Sequence, residues 1–131
     1  TPDYLLRECG QRLGDYADNS GENARGYCDF PITEPLTVFA VSGHMHELGR
    51  SFRLELNPDE DDSLLLLDIP RWDFHWQGHY TFVEPLQLSA SDILRMTCVW
   101  DNSLSDDPRY VVWGEGTSDE MCFGALLALK P

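Results

Sequence analysis

The chain has 131 residues, 42% hydrophobic and 11% aromatic, which suffices for one domain with a real core and argues against a disordered chain. Nine basic residues against 23 acidic ones leave a net charge of −14, which repels phosphates and disfavours nucleic acid and anionic membrane surfaces as partners. No apolar run is long enough to span a bilayer, so membrane insertion is not expected.

Residues 1–35 read as an N-terminal extension and residues 36–131 as a β-sandwich. Thr1-Pro2-Asp3 has the form of a helix start, and Gly10 and Gly14 limit its length, so a loop with a short helix is expected there. Asp15 to Gly26 is rich in Asp, Asn, Ser and Gly and reads as loop. From Leu36 the pattern turns to short strands. Leu36 to Ser42 is β-branched and aromatic. Ser51 to Leu56 alternates Phe52, Leu54 and Leu56 with polar residues. Asn57 to Asp62 is an acidic turn, read as solvated in preference to a calcium loop because it lacks an ordered ligand spacing. Leu64 to Asp68 is a further strand. Trp72 to Tyr80 places Trp72, Phe74, Trp76 and Tyr80 on one parity and Asp73, His75, Gln77 and His79 on the other, as a half-buried strand would. Thr81 to Leu88 is a strand broken by Pro85, and Ile93 to Trp100, Tyr110 to Trp113 and Met121 to Leu129 complete the set. Such turn-punctuated strands predict an all-β, antiparallel β-sandwich of jelly-roll type.

Cys9, Cys28, Cys98 and Cys122 can pair in three ways. None forms a CxxC, so a thiolate zinc site is poorly supported. Cys9–Cys28 with Cys98–Cys122 is the preferred pairing, the former stapling the extension. Free thiols in a cytosolic protein are the competing reading. Two disulfides would put the protein in a secreted or periplasmic setting.

His44 and His46 form the sharpest local feature. On a strand, residues two apart share a face, with Cα atoms about 6.5–7 Å apart, so two imidazoles can converge on one ion. Imidazole suits copper, zinc, iron and nickel alike, and surface histidines outnumber metal sites with this spacing. Met121 alone reads as core filler. His75 and His79 are candidates for secondary metal contacts. They would lie about 13 Å apart on an extended strand, which favours a polar outer face instead. No Gly-x-Ser-x-Gly elbow supports a hydrolase.

Four stretches in order carry a resemblance: His44-Met45-His46-Glu47-Leu48-Gly49; Trp72 to Tyr80; Ser91-Asp92-Ile93-Leu94 through Cys98-Val99-Trp100-Asp101-Asn102-Ser103; and Gly116-Thr117-Ser118-Asp119-Glu120-Met121-Cys122. Over about residues 36–129 the chain resembles the C-terminal domain of the copper type II, ascorbate-dependent monooxygenases, the family of peptidylglycine α-hydroxylating and dopamine β-monooxygenases. The resemblance implies one copper, cycling between Cu(I) and Cu(II), on His44, His46 and Met121, with a Cys98–Cys122 disulfide beside the thioether. It implies an open position for dioxygen or a small ligand, and an electron-donor domain or protein as partner. In the family a triple-histidine copper on a separate domain relays electrons from ascorbate. These residues hold no such site, so the chain is expected to lack the electron-relay domain. Peptide-binding positions of the family fall on Ser42, Phe123 and Ala125 here, which disfavours peptide amidation. The expectation is therefore an oxygen-activating half-site, a monooxygenase only in part. The alternative is a non-catalytic copper carrier, sensor or electron-transfer module.

Overall fold

A computed structural model describes residues 2–9, 24–101 and 120–130. Within them lie eight strands: β1 (Asp3–Glu8), β2 (Ala24–Pro31), β3 (Leu36–His44), β4 (Gly49–Leu56), β5 (Leu64–Ile69), β6 (Tyr80–Leu88), β7 (Ile93–Trp100) and β8 (Phe123–Leu129). Two four-stranded sheets pack as a sandwich, with orders β1-β8-β3-β6 and β2-β7-β4-β5, and every pairing is antiparallel. No helix occurs among the described residues, and none long and apolar enough to cross a membrane. Tyr110 to Trp113 falls outside them.

Alternation builds the core. Phe52, Leu54 and Leu56 of β4 and Leu94, Met96, Cys98 and Trp100 of β7 are buried, while the residues between them are partly exposed apart from Thr97. Opposite them stand Leu36, Val38 and Val41 of β3 and Leu126 and Ala128 of β8. Removing each large side chain from water contributes about 1.5–3 kcal/mol.

Several expectations need correction, among them the loop reading of Asp15 to Gly26, whose last three residues open β2 against Trp100, Val99 and Cys98. The N-terminal segment contains no short helix at Asp3–Glu8: it is β1, in register with β8 from Asp3↔Ala128 to Glu8↔Phe123. A six-residue helix is marginal in water, whereas the edge of β8 offers a full ladder of backbone partners. Trp72 to His79 is not a strand either; β6 begins only at Tyr80. Asp73 turns the chain, its carboxylate accepting from His75 N–H at 2.9 Å and its carbonyl from Trp76 N–H at 3.0 Å. Local side-chain bonds of this kind compete with a ladder.

Pro85 does not end its strand, because β6 is an edge strand and residues 82–85 have no register partner on β3, so the missing N–H costs no ladder bond. A bulge at Phe39 matters more. The pairing of β3 shifts between Val38 and Ala40 with both neighbours. The inward residues therefore change from even numbers (Leu36, Val38) to odd ones (Val41, Gly43), and Met45 beyond the strand is fully buried. The same change puts His44 on the outer face of the sheet.

Candidate metal centre

His44 ends β3 and His46 follows it, with ring centroids 5.0 Å apart and planes nearly perpendicular. On β8 the inward residues are even: Gly124, Leu126 and Ala128, with Cys122 just before them joined to Cys98 of the other sheet. Met121 precedes Cys122, so alternation gives it the outer parity, with Phe123, whose ring lies 6.4 Å from that of His44. The β3–β8 ladder runs Ser42↔Ala125, Gly43↔Gly124, His44↔Phe123; two further steps would bring His46 opposite Met121.

The approach of the two sheets beneath this point depends on the Gly43–Gly124 pair. A Cβ at Gly43 would lie 2.7 Å from Phe52 Cζ and closer still to two other carbons of that ring, and one at Gly124 would lie 2.8 Å from Met96 Sδ. Both positions need hydrogen for that reason.

The chain turns after His46, where Gly49 N–H donates to the His46 carbonyl at 3.1 Å. Glu120, only 2% exposed, secures this turn. Its Oε1 accepts from His46 N–H and from Trp100 Nε1–H, both at 2.9 Å, and its Oε2 accepts from Leu48 N–H at 3.0 Å. Burial pushes the Glu120 carboxyl up from its ordinary value, while hydrogen bonds from the amides of His46, Leu48 and Met121 oppose that shift. One side chain thus ties the histidine turn to the residue preceding Met121.

Residues 72–77 lie beside the pair. The Phe74 ring stands 5.9 Å from His46, and Gln77 Oε1 is 2.6 Å from His44 Nδ1. His46 is 4% exposed. His75 is exposed, its Nδ1 3.5 Å from Asp73 Oδ1, and the exposed His79 ring sits 6.2 Å from that of Tyr4. Among the described residues no three His, Cys, Asp or Glu side chains gather to hold an ion. The His44, His46 and Met121 set is of another kind, with two imidazoles and one thioether. That donor set fits copper: a soft sulfur favours Cu(I) and imidazole accommodates both oxidation states.

The disulfides Cys9–Cys28 and Cys98–Cys122 each cross between the sheets. Residues 16–127 match the family model for the copper type II ascorbate-dependent monooxygenase C-terminal domain. The chain belongs to this family. As a monooxygenase C-terminal domain it is a copper-binding domain by descent. Comparison with curated proteins finds no match.

Sequence pattern marks Glu120 only as a neighbour of Met121 and gives Gln77 no role. A carboxylate flanking a buried cysteine was the available signal for Glu120. Gln77 reaches His44 from 33 residues away, and no local pattern marks that contact.

Proposed function

We propose that this monooxygenase C-terminal domain holds one copper ion on His44, His46 and Met121, as the oxygen-facing half of a two-copper system. The observation that carries the reading is the adjacency of the two imidazoles, 5.0 Å between centroids, on the face to which strand parity also assigns Met121. When bound, copper supplies one-electron exchange between Cu(I) and Cu(II) and an open position for dioxygen or another small ligand. The chain contributes the two imidazoles, the thioether and the buried Glu120 anchor. Of its four histidines, two are used here, and the other two cannot make a triple-histidine site. The electrons would therefore enter from a separate domain or protein. Ser42, Phe123 and Ala125 offer no charged partner to a peptide carboxylate, which argues for a substrate other than a peptide terminus. Two disulfides support a secreted or periplasmic setting.

The test is an anaerobic Cu(I) titration of the wild type against His44→Ala and Met121→Ile, with X-ray absorption to detect sulfur in the coordination shell. One equivalent in the wild type, weakened in both variants, is expected. Equal binding by all three proteins would refute the site.

The altered substrate positions favour a second reading, a non-catalytic copper carrier, sensor or electron-transfer module. Oxygen consumption with ascorbate separates the two. The half-site consumes oxygen and yields peroxide or hydroxylated product, whereas a carrier transfers Cu(I) to a partner without turnover.

A further inference from the structure

The short segment between β5 and β6 holds a chain of contacts that fixes the position of a single proton. Gln77 Nε2 lies 2.7 Å from the carbonyl oxygen of Phe74. A carbonyl has no hydrogen to give, so the atom facing it must be the amide NH2. That orients the amide and leaves Oε1 as the atom 2.6 Å from His44 Nδ1. An amide oxygen only accepts, so Nδ1 carries the hydrogen. A neutral imidazole has one ring N–H, and Nε2 of His44 is left with its lone pair bare.

We infer that Gln77 is a positioning residue for the metal centre: anchored on the Phe74 carbonyl, it holds His44 as the Nδ1–H form and so commits Nε2 to ligation. This rests on the reading of His44 as a copper ligand. Gln77 is itself exposed to solvent, and the second anchor keeps its amide from rotating to bond water instead. Phe74 contributes to both sides, its carbonyl to Gln77 and its ring, 5.9 Å away, against His46. The turn made by Asp73 brings both residues back over the histidines. One six-residue segment with no ligand of its own supports both imidazoles. Hydrogen-bond partners in this role commonly set metal affinity by about 10–100-fold.

The experiment begins on the metal-free protein, in mildly alkaline buffer where imidazole is neutral. Long-range proton–nitrogen NMR reads which ring nitrogen of His44 is protonated. Nδ1–H is expected in the wild type, a mixture of both forms in Gln77→Leu, and Nδ1–H again in Gln77→Glu, whose carboxylate also accepts. Cu(I) titration of the same proteins should show affinity reduced about 10–100-fold in Gln77→Leu and largely kept in Gln77→Glu. Nε2–H in the wild type, or a His44 spectrum and an affinity unchanged in Gln77→Leu, would overturn the inference. Failure of the copper reading has a different signature: all three proteins decline Cu(I) while NMR still separates them. A positioning role would then be excluded, although the proton assignment would stand.

Discussion

Removing the Glu120 carboxylate should destabilise the metal-free domain heavily. Glu120→Ala strands three buried or sheltered donors, the N–H groups of His46 and Leu48 and the Trp100 indole, now bonded at 2.9, 3.0 and 2.9 Å. Each buried unpaired donor costs about 1–3 kcal/mol. Against that stands relief from burying a charge, which partly offsets the loss. The net expectation is about 3–5 kcal/mol, a large share of the roughly 5–15 kcal/mol that holds an ordinary domain together. Glu120→Gln keeps the shape and one acceptor oxygen, leaves one donor facing an NH2 group, and should cost about 1–3 kcal/mol. Trp100→Phe removes only the indole bond, and in a double-mutant cycle with Glu120→Ala the two losses should fall short of additive. Urea denaturation gives the free energies, and amide hydrogen exchange at His46 and Leu48 localises the effect. A loss below about 1 kcal/mol in Glu120→Ala, with both amides still protected, would refute the assignment of Glu120 as the anchor of the turn.

Gly43→Ala drives a methyl into the Phe52 ring and should cost about 1–3 kcal/mol in urea; Phe52→Leu in the same chain should recover part of it, and no recovery would place the clash elsewhere. The bidentate pairing of Asp29 with Arg95, at 2.7 and 2.9 Å, holds the Asp29 carboxyl below its ordinary pKa of 3.8. A depressed folded-state pKa contributes stability above the unfolded value and loses it as pH falls through the folded one. The pair is 24% and 39% exposed, so Asp29→Asn should cost only about 0.5 kcal/mol at neutral pH. Urea curves repeated in acid well below pH 3.8 should show that difference vanish, and its persistence there would contradict the linkage.

The sandwich was legible because its strands bury one face only: Phe52, Leu54 and Leu56 alternate cleanly, and β4, β5 and β7 lie within a residue or two of their sequence boundaries. The aromatic alternation from Trp72 to Tyr80 misled for a physical reason. Period two in side chains is necessary for a strand but not sufficient, and the Asp73 carboxylate outcompetes the ladder there. Trp76 ends up 83% exposed, the reverse of its expected inward placing. The His44 and His46 spacing was visible, yet which face they occupy was not, since it turns on the bulge at Phe39. Asp3–Glu8 shows the opposite case, in which a weak local helix signal yields to a pairing with β8 at the far end of the chain.

The two disulfides also define how the backbone can be cut. Cys9–Cys28 encloses a stretch of 19 residue steps and Cys98–Cys122 one of 24, and both join one sheet to the other. A single break of the main chain inside either ring releases no fragment, because the bridge still connects the two ends. The nicked molecule would travel as one species without reductant and as two pieces with it. Each ring can therefore accept a cleavage or an inserted sequence while the strands on either side remain covalently held, and after a cut between Cys98 and Met121 the segment with His44 and His46 stays joined to Met121 through the Cys98–Cys122 sulfur bridge.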